Sequence, residues 1–396
     1  MTTARKDLFT RALAAAPGRL HFAAHSHHLW PDASFDGQVE AWNDGVRLAD
    51  RKWDRVFGEV VPEAQGHVAG ELSLPDPETV VFALNTHDFL IRIVSGLQGR
   101  PVRILTTGGE FHAFRRQAER WEESGQAVVT RVSPDPVETL GQRYLEAARA
   151  GDFDLFVISQ VFFRTGQVFG GLEVLADLCR PEGPWGIVDG YHGFMATPTD
   201  LSTVADRLFY VTGGYKYVMA GEGAGILHAP HGYCERPEIT GWFAEFGNLM
   251  GPPEGVRYRG DAGRFWGATF DPTPLYRFNA VRRMLAVEGL TTPVITGHAL
   301  ARLAQFQTAV QESRCGLLGT AELVNPIAGA PDNDLPPRAR FLAIRHPEAQ
   351  AWRARLLEAD IVTDVRDDII RFGFGLYQDE DDVEQLIAGC ARVLAG

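Results

Sequence analysis

Two stretches decide how this chain folds: Trp185-Gly186-Ile187-Val188-Asp189-Gly190-Tyr191-His192 and, a little further on, Leu208-Phe209-Tyr210-Val211-Thr212-Gly213-Gly214-Tyr215-Lys216-Tyr217. Each is a short apolar run that ends in polar residues and glycine. Runs of this length, apolar at every position, suit parallel strands buried on both faces. Working outward, further runs of the same kind lie at Val102–Thr106, Ala127–Val132, Leu155–Val161 and Ala224–His228. Helical periodicity fills the gaps at Thr86–Leu97, His112–Ser124, Val137–Ala150 and Leu172–Cys179. Alternation of strand and helix predicts βαβ units, hence an α/β fold with a mostly parallel central sheet covered by helices.

The carboxyl ends of parallel strands are where such sheets place their active sites. Here those ends carry a carboxylate (Asp189), an imidazole (His192) and an amine (Lys216). The set suits pyridoxal phosphate (PLP). Lysine would bind the cofactor covalently, and the carboxylate would keep the pyridine nitrogen protonated so that the ring accepts electrons. The glycines before Lys216 let the backbone approach a ligand closely. Read alone, Lys216 is as well explained by a surface turn, and Asp189 by a capping carboxylate.

Other positions fit the same ligand without requiring it. Asn85 and Thr86 open a helix after the strand-like Val80-Val81-Phe82. Free N–H groups there would hold a phosphate, or Asn85 simply caps the helix. Phe111 offers a ring to lie on a cofactor, or a core side chain. Tyr215 could donate to the phosphate. Arg371 is a charge inside the apolar Ile369-Ile370-Arg371-Phe372, where arginine needs a partner. A substrate carboxylate would serve, and so would a structural ion pair. His25-Ser26-His27-His28 has no carboxylate or cysteine at metal-binding spacing, so a pocket loop is preferred to a metal site.

The chain has 396 residues, 45% of them hydrophobic, and a formal charge of −13 from 38 basic and 51 acidic side chains. That size suggests two domains, and that charge excludes a nucleic-acid backbone as the natural partner. There is no apolar stretch long enough to span a bilayer. Met1 to Arg19 lacks the apolar block of a signal peptide and reads as a short helix, so a cytoplasmic enzyme is expected. Cys179, Cys234, Cys315 and Cys390 are scattered and suggest neither disulfides nor zinc. Gly251 to Pro274, dense in Gly, Pro, Arg and aromatics, reads as an irregular functional segment. Beyond it come helices from Pro274 and over Pro293–Val310. The order strand (Phe341–Arg345), helix (Pro347–Ala359), strand (Ile369–Phe374), helix (Asp381–Leu394) then predicts a compact α+β end. The expected division is 1–45 as a segment packing on the small domain, 46–275 as the large domain and 276–396 as the small one.

Taken together, the motifs resemble the class V aminotransferase family of fold-type I PLP enzymes, and within it the kynureninases. The resemblance runs from about His21 to Arg371. It rests on His21-Phe22-Ala23-Ala24-His25-Ser26, Asn85-Thr86, Phe111, Phe163-Arg164-Thr165-Gly166-Gln167, Asp189-Gly190-Tyr191-His192, Tyr215-Lys216-Tyr217, Gly241-Trp242-Phe243, Arg264-Phe265, Gly267-Ala268-Thr269 and Arg371. It implies that Lys216, Asp189, His192 and Tyr215 are catalytic. It implies that Asn85, Thr86, Phe111, Trp242 and Thr269 join them in holding PLP. The tryptophan would come from the partner subunit of a homodimer whose sites lie at the interface. It further implies that Arg371, His25, Ser26 and Arg164 meet the substrate, with Arg371 on its α-carboxylate. Two departures fall where substrate is chosen: His25 stands for an asparagine, and Ala244-Glu245 follow Trp242-Phe243.

The implied reaction is hydrolytic Cβ–Cγ cleavage of kynurenine or a related γ-keto amino acid. Transamination or β-elimination on another amino acid is the alternative. A non-catalytic module would be expected to lose Lys216 or Asp189. A nicotinamide dehydrogenase needs an early Gly-x-Gly-x-x-Gly, which Gly221-Glu222-Gly223-Ala224-Gly225 does not supply.

Overall fold

The computed structural model describes residues 3–97, 99, 101–246, 255–327 and 338–395. Its centre is a seven-stranded sheet built from β1 (Val80–Ala83), β2 (Val102–Thr107), β3 (Ala127–Val132), β4 (Leu155–Ser159), β5 (Trp185–Asp189), β6 (Leu208–Gly213) and β7 (Gly225–His228). The spatial order is β1-β7-β6-β5-β4-β2-β3. Strands β3, β2, β4, β5 and β6 are parallel neighbours. β7 runs antiparallel to both β6 and β1. The α/β architecture and every strand expected in this half are present, with ends within two residues of their expected positions.

β4, β5 and β6 are buried throughout apart from Asp189 at the end of β5. This is why their sequences are apolar at successive positions rather than alternating. Their helices carry the complementary stripe. In α1 (Thr86–Ser95) Phe89, Leu90, Ile93 and Val94 face the sheet, at the spacing of one helical face. Gly96 ends that helix two residues before the expected Leu97. α2 (His112–Glu123) and α3 (Leu140–Ala150) cover the β2–β3 side. The expected helix Leu172–Cys179 stops at Ala176, since the chain must turn before Pro181 and the strand that follows. The N-terminal helix is two short pieces, Lys6–Phe9 and Thr10–Ala15.

A second, four-stranded antiparallel sheet contains β8 (Glu322–Leu323), β9 (Phe341–Arg345), β10 (Asp364–Arg366) and β11 (Ile369–Gly373), in the order β10-β11-β9-β8. The larger core cluster includes Phe9 and the sheet residues and extends to Leu285, Leu290 and Ile295. A separate cluster joins Phe22 to residues from Ala299 to Leu394. The N-terminal segment touches both. Leu20–His21 pairs in parallel with Ile361–Val362, while Gly37 of the helix Asp32–Leu48 lies against the backbone of Tyr276. Of the segment 251–274, residues 251–254 lie outside the described residues. The remainder is irregular apart from a helical turn at Ala262–Phe265 and the start of the helix Thr273–Val287; the turn is pinned by Arg264, whose guanidinium donates to the carbonyls of Pro230, Tyr233, Cys234 and Asp261.

Candidate active site

The carboxyl ends of β4, β5 and β6 open on a cavity of about 190 Å³. Seven residues expected from sequence line it together: Asn85, Thr86, Phe111, Asp189, His192, Tyr215 and Lys216. The parallel register explains the convergence. Ser159 stands beside Asp189, and Asp189 beside Val211, so the loops leaving all three strands start at one level. The site lies next to the place where the chain order reverses between β2 and β4, where open α/β sheets form a crevice.

Lys216 is 5% exposed. Its Nζ and His192 Nε2 share a hydrogen bond of 2.6 Å, and His192 Nδ1 has no hydrogen-bond partner. The ammonium also lies 4.6 Å from the centre of the Tyr191 ring and 5.5 Å from that of Phe111. Burial pushes the Lys216 pKa down to about 7, against the pull of the Asp189 charge, while Arg371 and Arg366 push it further down. Burial raises the Asp189 carboxyl above its ordinary range, opposed by the Tyr191 N–H, which donates to Oδ1 at 2.9 Å, and by Lys216. In the isolated chain both groups are thus driven toward their neutral forms. His192 and His25 are held neutral by burial and by nearby cations.

Glycine makes room for this packing. A Cβ on Gly213 would fall 2.3 Å from the Tyr191 hydroxyl, and one on Gly225 would fall 2.6 Å from the Asn85 backbone. Opposite the amine, Asn85 caps α1 by accepting from Asp88 N at 3.1 Å, and Thr86 starts the helix. The first-turn N–H groups and the helix dipole there favour an anion.

The remaining expected residues are placed differently. His25 is fully buried with neither ring nitrogen hydrogen-bonded. Its ring lies 6.4 Å from that of His192 and 4.7 Å from that of Phe341. Ser26 is half-buried beside it. Arg371, 1% exposed, donates to the Phe163 carbonyl and to Asp364 Oδ2, while Arg366 Nη1 donates to Asp364 Oδ1 at 2.6 Å. Burial lowers the Arg371 pKa to about 9. Arg164 pairs with Asp368 at 2.6 Å and lines a second cavity next to the first. Trp242 is 44% exposed and stacks on Phe243, and Thr269 is exposed in a groove beside Arg92. Neither reaches the cavity of its own chain.

Tyr191, Ser159, Phe163, Asp364 and Arg366 join the site or its surroundings without having been expected there as functional residues. Tyr191 and Ser159 had a usable signal, since both sit at or just beyond a strand's carboxyl end, and Phe163 stands in one of the quoted motifs. Asp364 and Arg366 are brought in by tertiary packing alone. Among the described residues no group of three or more His, Cys, Asp or Glu is placed to hold a metal ion, and no helix is long and apolar enough to cross a membrane.

No family model matches the chain. Over 384 residues it is 27% identical to a kynureninase of Deinococcus radiodurans, spanning 93% of this chain and 83% of that protein. Over 186 residues it is 30% identical to an isopenicillin N epimerase of Streptomyces clavuligerus, spanning 45% of this chain and 46% of that one. Among solved structures, the cystine C-S lyase C-DES in complex with its product cysteine persulfide superposes with a TM-score of 0.79 at 18% identity, covering 96% of this chain and 99% of that one. A C-DES mutant with glycine covalently linked to the PLP cofactor gives the same TM-score and identity over 98% and 99% of the two chains. The apo cysteine desulfurase of Thermococcus onnurineus gives 0.75 at 17% identity, over 100% and 99%. At these identities the solved structures establish the fold.

Proposed function

Starting from a chain of fold type I, homologous to a kynureninase and resembling the class V aminotransferase family, we propose that it is a PLP-dependent enzyme acting on an amino acid. The observation that carries this reading is the buried Lys216 amine, 2.6 Å from His192 Nε2 in a cavity that also holds Asp189 and the start of α1. The residues present fit the cofactor. An unpartnered His192 Nδ1, a carboxylate for a ring nitrogen, an aromatic wall at Phe111 and a helix N-terminus for a phosphate each match one part of it.

When bound, PLP supplies an electron sink for the bond broken at the substrate's Cα. Lys216, with a pKa near neutrality, is a competent nucleophile for holding it and, once released, a base that moves the Cα proton. Asp189 would hold the ring nitrogen and keep it protonated. His192 holds Lys216 on one side, and Phe111 and Tyr191 exclude water around the amine. Arg371 is the substrate-carboxylate residue of this reading. It is already oriented by Asp364 and the Phe163 carbonyl, so its guanidinium is fixed before substrate arrives.

The finer reading is hydrolytic Cβ–Cγ cleavage of kynurenine or a related γ-keto amino acid, in a homodimer whose sites take Trp242 and Thr269 from the second copy. The kynureninase homology along 93% of the chain supports it. A thiolate-dependent sulfur transfer is disfavoured, because burial pushes the Cys315 thiol up to about 12 and all four cysteines are buried. Incubation with kynurenine tests the reaction. Anthranilate fluorescence with stoichiometric alanine is the expected result. Keto-acid-dependent amino transfer without anthranilate would replace hydrolysis by the transaminase alternative.

A further inference from the structure

The cavity that holds Lys216 is small for its task. Its volume is about 190 Å³, below the roughly 300–1,000 Å³ usual for small-molecule sites. A planar cofactor and an amino acid together need more room. The adjoining outer cavity holds about 110 Å³. Of the described residues, Phe163 alone lines both.

The partition between the two cavities has a fixed part and a movable part. Ser159, in the inner lining, donates from Oγ to Oε2 of Glu110, in the outer lining, at 2.5 Å. Thr107 Oγ1 donates to the other carboxyl oxygen at 2.7 Å, and Ser159 and Glu110 are both buried. The backbone around Phe163 is fixed too. Gly166 N–H donates to the Phe162 carbonyl at 2.8 Å, Phe162 N–H donates to the Gln167 carbonyl at 2.9 Å, and Arg371 donates to the Phe163 carbonyl. The Phe163 ring has no such tie. It meets Phe111 edge-on with ring centres 5.4 Å apart, and His112 at 5.5 Å. Ring contacts of this kind are modest in strength, and a change of χ1 rotamer breaks them.

Resting on the reading of the chain as an amino-acid enzyme, we propose that the outer cavity is the subsite for the substrate's side chain, opened when the Phe163 ring swings aside. Phe163 is then the residue that sets which side chains are accepted. Arg371 links the two cavities. Its guanidinium, the group for the α-carboxylate, lies 5.9 Å from the centre of the Phe163 ring, so a substrate held there abuts the partition. The outer lining also selects the occupant. Pro134, Leu140 and Phe162 give it apolar walls. Its cations are already engaged: Arg164 and Arg345 with Asp368 at 2.6 and 3.6 Å, and Arg115 with His112 Nδ1 at 3.0 Å. An uncharged aromatic ring fits such walls better than an anionic side chain does.

Two γ-keto acids without an amine test the subsite. 3-Benzoylpropanoate and 4-oxopentanoate differ only in a phenyl against a methyl group, and calorimetry on the apoprotein gives the ratio of their dissociation constants. The wild type should prefer the phenyl compound. In F163A that preference should rise roughly twofold to tenfold, the worth of an edge-to-face ring contact that no longer has to be broken. F163L keeps a buried apolar side chain and should shift the preference in the same direction, so a folding defect in F163A does not decide the result. In V137W an indole replaces a small side chain of the outer lining, and the preference should fall by roughly tenfold or more as the phenyl group loses its burial. A preference unchanged in V137W, or unchanged or lowered in F163A and F163L, would overturn the proposal. So would equal affinity for the two acids in the wild type, or binding of neither. None of these readouts involves the cofactor, so failure of the protein to take up PLP would strike the cofactor reading separately.

Discussion

Lys216 carries the account at the scale of single residues. An amine with a pKa of about 7 is largely unprotonated just above neutrality, so PLP incorporation into the apoprotein should speed up as pH rises through about 7. Stopped-flow absorbance checks this, and the midpoint should fall in D189N because Asp189 is the neighbour that raises it. The sign for stability follows from the same shift. The folded pKa lies below the ordinary 10.5, so the unfolded chain binds more protons between about 7 and 10.5 and Lys216 makes stability rise with pH across that window. K216M should flatten that rise in urea titrations and lower turnover by roughly 10²–10⁴-fold. D189N should weaken PLP binding by roughly tenfold to a hundredfold, the worth of one charge-assisted hydrogen bond, as read by equilibrium titration. Arg371 has a structural share as well. Asp364→Ala leaves a guanidinium buried with one carbonyl for company, and should cost about 3 kcal/mol of unfolding free energy.

At the scale of elements, α1 and the ends of β4, β5 and β6 make the site. Asn85→Ala removes the cap on α1 and should cost about 1 kcal/mol in stability while also weakening PLP binding, since the same first turn faces both tasks. Asp189 and Lys216 were legible because each is a polar residue at or just beyond the end of a fully apolar run, the mark of a strand buried on both faces. Asn85 and Thr86 were legible by the same logic at a helix start. The direction of β7 was not, because Gly225-Ile226-Leu227-His228 has the same apolar pattern whichever way it runs. The Glu110–Ser159 contact was hidden for another reason. β2 and β4 are neighbours only because the chain doubles back past β3, and no local pattern encodes that order. For Arg371 the sequence showed that a buried charge needs a partner, while the identity of Asp364 follows from the β10–β11 register, which sets the two residues opposite each other.

At the scale of the whole molecule, the chain presents apolar side chains to solvent. Phe35, Val39, Trp42 and Val46 are exposed on the helix Asp32–Leu48 at one-face spacing, with Trp30, Leu84 and Trp242 exposed elsewhere. Surfaces of this kind are commonly covered by a partner, in keeping with the proposed homodimer. If Trp242 completes the site of the second copy, K216M and W242A chains, each inactive alone, should recover up to about a quarter of wild-type activity when refolded together, because a mixed dimer contains one intact site. Recovery near zero would place Trp242 in its own chain's site, and a W242A chain active by itself would place it outside both. All of this depends on where the cofactor sits. Borohydride reduction of the PLP-loaded protein, followed by peptide mass mapping, tests that most directly. The account predicts one reduced pyridoxyl group on the peptide containing Lys216 and loss of the yellow colour. A label on any other lysine, or no uptake of PLP at all, would contradict it.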